Sequence, residues 1–149
     1  MTKTTNFEIS KKLAEIGFKA KWENCWEKNN EKKGIYTLFF FEEWNRDLNN
    51  YYPSYDLETI LEALPCGLDQ GNEQYNLKML PNISISYTNK FFNHIYDYRD
   101  DFCCENGEVM YCIRKNKETM VDMAGRVLIK LYENNLIKFE EGLTIIKYD

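Results

Sequence analysis

The sequence predicts an α+β fold, a single domain over residues 1–149 with about three helices packed on an antiparallel sheet of roughly four to six strands. Apolar residues recur at helical spacing in three separate stretches, each with a capping residue before it and a stop after it. Between them lie segments where aromatic or β-branched residues alternate with polar ones, the period of a strand. The pair Asn106-Gly107 separates two such segments and is the strongest short hairpin signal.

The first helix starts at Thr5 and Glu8, which have the capping-box spacing in which hydroxyl and carboxylate each satisfy a free backbone N–H. Ile9, Leu13 and Ile16 form its apolar stripe, and Gly17 supplies the left-handed stop. Residues 18–26 set Phe18, Ala20, Trp22 and Asn24 against Lys19, Lys21 and Glu23, which predicts a strand. Residues 27–34 are a polar turn, and residues 35–44 return as the hairpin partner. Residues 45–53 form a polar connection ending in Tyr51-Tyr52-Pro53.

Asp56 then caps a second helix, Glu58 favours its positive end, and Tyr55 is placed to staple against Ile60. Leu57, Ile60, Leu61 and Leu64 are its buried stripe, and Pro65 ends it. Residues 66–73, with Gly67 and Gly71, are expected to be a loop. Three strands follow, over residues 74–87 (broken or edged at Pro81), 91–99 and 108–114. In the last helix Asn116 is the expected cap and Glu118 lies in the first turn. Met120, Ala124, Val127, Leu128 and Leu131 make a wide stripe, with Val121 and Tyr132 at its margins and Lys130 and Glu133 off it. Asn134-Asn135 stops it, and residues 143–148 form a short final strand. No repeat, low-complexity tract or linker divides the chain.

Composition excludes several classes of function. Three Trp, eleven Tyr and nine Phe are ample core material, which argues against intrinsic disorder. No apolar run, residues 38–41 included, exceeds five residues, far below the roughly 18 a membrane crossing needs. The N-terminus has the pattern of a capped polar helix rather than a secretory leader, so a cytoplasmic location is expected. With 24 acidic and 19 basic side chains the net charge is −5, and Lys28, Lys32 and Lys33 are offset by Glu27 and Glu31. No cationic patch for phosphates emerges, so no nucleic-acid partner is expected.

The five cysteines, an odd set without regular spacing, predict free thiols in a reducing compartment. Cys103, Cys104 and Cys112 with His94 do not make a metal set, because adjacent cysteines on a strand point to opposite faces. Asp97, Asp100, Asp101, Glu105 and Glu108 lack EF-hand spacing and suit a solvated turn. No metal and no cofactor is expected.

Catalytic signals are sparse. There is no Gly-rich phosphate loop and no G-x-S-x-G elbow, and His94 is the sole imidazole. A small hydrolase or nucleotide-modifying enzyme would have to pair His94 with a cysteine, Cys103 or Cys112, or with carboxylates. A self-assembling accessory protein is a further alternative. The better-supported candidate is a protein-binding surface built from Trp44, Tyr51, Tyr52, Tyr55, Tyr96 and Tyr98, with Asp100 and Asp101 at its polar rim.

The order of segments is "KKLAEIGF", a tryptophan-bearing stretch, "YYPSYDLETILEALP", a set of strands, and "VDMAGRVLIKLYENNLI". It resembles a loose group of small uncharacterised proteins encoded by phages, prophages and other mobile elements. In that group a Tyr-Pro segment leads into a capped Leu-rich helix ending in Leu-Pro, and a later helix ends in Leu-x-Glu-Asn. The matching positions are Tyr52, Pro53, Asp56, Leu57, Leu61, Leu64, Pro65, Leu128, Leu131, Glu133 and Asn134. The chain departs from the group in its Phe39-Phe40-Phe41 run and its cysteine-rich strand region. The resemblance implies a cytoplasmic, non-catalytic inhibitor or adaptor that binds a host or defence protein, and it brings no catalytic residues.

Overall fold

The computed structural model describes residues 4–27, 35–37, 51–70, 73–81, 84–88, 103–105 and 109–147. Along these the chain forms α1 (Phe7–Glu15), β1 (Asn24–Glu27), β2 (Ile35–Thr37), β3 (Tyr51–Ser54), α2 (Leu57–Ala63), β4 (Gly67–Gln70) and β5 (Glu73–Leu80). It continues through β6 (Ser84–Thr88), β7 (Cys103–Glu105), β8 (Val109–Ile113), α3 (Met120–Glu133), β9 (Ile137–Glu140) and β10 (Leu143–Ile146). The architecture is α+β, three helices against antiparallel strands. Where one sheet was expected, the strands divide into three: β2-β1-β3, β4-β5-β6-β8-β7 and the hairpin β10-β9.

Helix α1 begins one residue later than the capping-box spacing implied. Asn6 is its N-cap, with Oδ1 accepting from Ile9 N at 2.9 Å, because the Thr5 hydroxyl is committed to tertiary bonds. Gly17, at φ +87°, provides the expected stop. Asp56 caps α2 as predicted, accepting from Thr59 N at 2.8 Å. The cap of α3 is Thr119 rather than Asn116. Residues 115–118 first close a turn of their own, in which Glu118 N donates to Lys115 O and Lys115 N to Glu118 Oε1.

The strands carry more corrections. Residues 18–23 do alternate between buried and exposed, yet the assigned strand begins only at Asn24. Tyr51–Ser54, expected as a connection, is β3, paired to β1 with Tyr52 opposite Trp26. Gly67–Gln70, expected as a loop, is the edge strand β4. Its Gly67 serves close pairing rather than a turn, since a Cβ there would lie 2.9 Å from Tyr75 O. Ile137–Glu140 is a strand the pattern did not announce. It joins β10 through Glu141 and Gly142, both at positive φ (50° and 79°), as a tight hairpin turn requires. The β7–β8 pairing flanks Asn106-Gly107, the expected hairpin position, but β7 at Cys103–Glu105 is a strand the pattern did not announce. The strand expected over residues 91–99 lies outside the described residues.

Helix α3 occupies the centre. Residues 121–129 are all buried, and the helix touches α1, α2, β6, β8 and β9. A helix covered on nearly every side needs apolar residues around most of its circumference, and Met123, Ala124, Val127, Leu128 and Leu131 are fully buried. They join Leu13, Ile60, Leu68, Tyr75, Ile85, Tyr87 and Ile137 in one hydrophobic cluster. Helix α1 crosses α3 at Gly125, where a Cβ would approach Ile9 Cγ2 to 2.6 Å. The Tyr87 hydroxyl donates to Pro65 O at 2.8 Å and so ties the end of α2 to the central sheet strand. Ser84 and Ser86, which alternate with Ile85 and Tyr87 along β6, are buried as well, so β6 is covered on both faces.

Two substitutions test this packing. Leu128→Ala should cost about 2–5 kcal/mol, the range for deleting a fully buried leucine side chain. Gly125→Ala should also destabilise, because its methyl group must displace Ile9. Urea midpoints equal to that of the wild type for both variants would contradict the packing.

Candidate functional site

The N-terminal segment before α1 forms one end of the site and is held by an unusual concentration of hydrogen bonds. Thr5 N donates to Tyr55 O at 2.8 Å, and Tyr55 N donates to Thr5 Oγ1 at 3.0 Å. The Thr5 carbonyl accepts from Ser54 Oγ at 2.6 Å, Trp26 Nε1 at 3.0 Å and Ser10 Oγ at 3.2 Å. Thr4 bridges to Asp56, and Asn6 N donates to the Asp122 carboxylate at 2.8 Å. Residues 4–6 therefore fasten β1, β3, α2 and α3 to one another.

Beside this segment lies a groove of about 1030 Å³. The lining comes from the extended stretch between Phe18 and Asn24, from α2 with Leu64 and Pro65, and from Gly142 of the β9–β10 turn with Leu143 and Thr144 at the start of β10. Phe18, Trp22 and Leu64 back the floor from the core, whereas Ala20, Ala63 and Pro65 are half-buried and offer it an apolar surface. Leu143 stands at the lip, 63% exposed. The charged lining is one-sided: Glu23, Asp56, Glu58 and Glu62 against Lys21 alone. Asp56 is occupied as a helix cap. Thr4 Oγ1, at the end of the groove, is buried without a hydrogen-bond partner.

A second polar cluster sits at the start of α3. Arg126 clasps Glu118 with two parallel bonds, Nε to Oε2 at 3.0 Å and a terminal guanidinium nitrogen to Oε1 at 2.8 Å. Both side chains are about nine-tenths buried, so the paired geometry offsets their loss of water. One turn from each lies Asp122, also buried. Burial raises its carboxyl above the usual value, and the Glu118 charge adds to the rise. Bonds from Asn6 N and the Thr119 hydroxyl pull the other way. Its partners are structural groups, and the cluster works as a clasp between α3 and the N-terminal segment.

The aromatic residues singled out by the sequence divide. Tyr51 and Tyr52 lie half-buried on β3, with the Tyr52 ring edge-on to Phe7 at 5.6 Å. Tyr55 is a core residue, 3% exposed and edge-on to Phe18 at 4.9 Å, so its ring offers a partner no surface. Burial pushes its phenol up to about 12, against a weaker opposing effect of a bond with the Ala20 backbone. Trp44, Tyr96, Tyr98, Asp100, Asp101 and His94 lie outside the described residues. Cys103 and Cys104 stand opposite Tyr111 and Met110, and Cys112 stands opposite Ile85. Among the described residues no group of three or more His, Cys, Asp or Glu side chains converges to hold a metal ion. Nor, among them, is any helix long and apolar enough to cross a membrane.

The sequence reading passed over Glu23, Glu62 and Leu143 as site residues. One signal was present: Glu58 and Glu62 are four apart on a helix with no lysine or arginine three or four positions from either. Comparison with protein-family models, curated proteins and solved structures finds no match to the chain.

Two measurements follow from these environments. Because the folded state holds a proton on Asp122 more tightly than the unfolded chain does, its contribution favours folding at low pH and is lost as pH rises from about 3.8 through the raised value. The stability of the wild type relative to Asp122→Asn should therefore fall over that window in denaturation curves taken across pH. A difference that grows with pH would contradict the assignment. Cys25 is buried, its thiol pushed up to about 11, while Cys66 is exposed, and both are free. In native protein a thiol reagent should modify Cys66 at once and Cys25 only on unfolding, with all five cysteines reactive in denaturant.

Proposed function

We propose that the protein is a non-catalytic binding protein of the phage or mobile-element type, acting in the host cytoplasm by engaging a host or defence protein. The observation that carries this reading is the groove, whose lining mixes apolar residues (Ala20, Ala63, Pro65, Leu143) with charged ones, a mixture found in protein contact patches. The groove starts where the tyrosine-rich segment ends. Ser54 and Asp56 line it, and Tyr51 and Tyr52 precede them on β3, a strand at the edge of its sheet. A surface running from these tyrosines into the groove would present amphipathic rings beside an acidic rim. The resemblance to mobile-element proteins supports the same reading, since its matching positions, Tyr52, Pro53, Asp56, Leu64 and Pro65, fall along this stretch.

The test is to cross-link the protein in host lysate, identify what it captures, and rebuild the complex from purified components by calorimetry. A stoichiometric complex is expected, weakened by about 2 kcal/mol or more in Tyr51→Ala or Tyr52→Ala variants that remain folded. His94→Ala should leave it intact. A biological effect abolished by His94→Ala and indifferent to both tyrosines would move the assignment to an enzyme.

A further inference from the structure

We propose that the groove between residues 18–24, α2 and the β9–β10 turn receives a lysine- or arginine-rich segment of the partner protein. This rests on the reading of the protein as a binder and names the chemistry of what it binds.

Charge gives the first argument. The groove's charged residues are four carboxylates and one ammonium, a net of −3 in a chain whose total is −5. The lining is thus negative in a concave place, where a low-dielectric wall focuses the field. An anionic partner, nucleic acid included, would be repelled there.

Helix α2 gives the second. Glu58 and Glu62 are exposed one turn apart on the same face, an arrangement that repels along the helix. Glu58 suits the positive end of α2, but Glu62 lies in its last turn, where a carboxylate opposes the helix dipole. Glu23 lines the same groove from the extended stretch. Among the described residues none of the three makes an ion pair. A cation lodged in the groove would relieve both the repulsion and the unfavourable dipole.

The floor selects the kind of cation. Ala20, Ala63 and Pro65 give the lining apolar surface, and Leu143 adds an exposed leucine to it. Lysine and arginine lay three or four methylene groups along such a surface while their charged heads reach outward to carboxylates. A bare metal ion would use the carboxylates and leave the apolar surface uncovered. A purely apolar segment would cover that surface and leave the carboxylates unmatched.

The experiment titrates the full-length protein into a short fluorescent peptide of alternating lysine and serine with a central leucine, followed by anisotropy. A glutamate-for-lysine peptide is the control. Saturable binding of the lysine peptide is expected, weakening as salt is raised. Glu58→Lys/Glu62→Lys should reduce affinity about tenfold or more, and Glu23→Lys, on the extended stretch, should reduce it independently. The pair Glu15→Lys/Glu133→Lys changes net charge equally outside the groove and should stay within about twofold of wild type. Melting curves confirm that each variant is folded. Equal weakening by the two double variants would overturn the proposal, as would no binding at all. So would a wild-type dimer that the groove variants split, since a second copy would then fill the groove. A rebuilt partner complex that survives both groove variants would also overturn it while leaving the protein a binder. Failure to form any complex would remove both.

Discussion

The backbone of Thr5 is the constraint on which the remaining structure depends. Its carbonyl takes hydrogen bonds from Ser54, Trp26 and Ser10, and its amide and hydroxyl close a ring with the backbone of Tyr55. Thr5, Ser10 and Ser54 are all buried, so water cannot replace a lost partner, and each unmatched group there would cost about 1–3 kcal/mol. Donors from α1, β1 and the end of β3 must therefore arrive together. This is why β3 pairs with β1 rather than running as a loop, and why the N-cap of α1 falls to Asn6.

The same logic governs α3. A central helix surrounded by α1, α2 and strands has little room for polar groups, yet it carries Asp122 and Arg126. Each is tolerable because its partners are fixed in advance: Arg126 by the two oxygens of Glu118, Asp122 by Asn6 N and Thr119. Asn6 both caps α1 and gives its amide to Asp122, so the starts of the two helices are set against each other. Gly125 then lets their backbones approach, with Ile9 filling the space a side chain would need. The crossing of α1 over α3 thus depends on a polar contact at one end and a missing methyl group one turn further on.

How far the sequence revealed this follows from what each signal measures. Helical periodicity reports a buried stripe, and all three helices lie where Leu13, Ile60 and Leu128 placed them. Caps are less legible, because a serine or threonine hydroxyl serves a helix end or a tertiary contact equally well. Thr5 was drawn to Tyr55, and Asn116 was bypassed by the turn that Lys115 and Glu118 close. Alternation in residues 18–23 correctly announced alternating burial, but it carries no information on which edge will find a partner. Gly67 misled in the opposite sense, since a glycine demanded by close strand pairing has the same one-letter signature as a turn. At the candidate site, Tyr55 was an aromatic like its neighbours until the fold turned it inward. Glu23 and Glu62 came to line one groove only through the fold.

That last juxtaposition has a physical origin in the extended stretch itself. Phe18 and Trp22 are drawn into the core, which leaves Lys19, Lys21 and Glu23 exposed. Helix α2 meets the same demand by burying Ile60 and Leu64 and leaving Glu58 and Glu62 outside. Two elements that share one core from neighbouring positions leave a furrow between their polar sides, and the β9–β10 turn closes one side of it with Gly142 beside Lys19 O. The furrow is therefore a consequence of core packing, but its charge is not. Glu58 suits the start of its helix, but a lysine at position 62 would serve the fold on an exposed face and would suit the helix dipole better than Glu62 does. Packing explains why there is a groove, whereas the carboxylates at positions 23, 58 and 62 are not something the core requires.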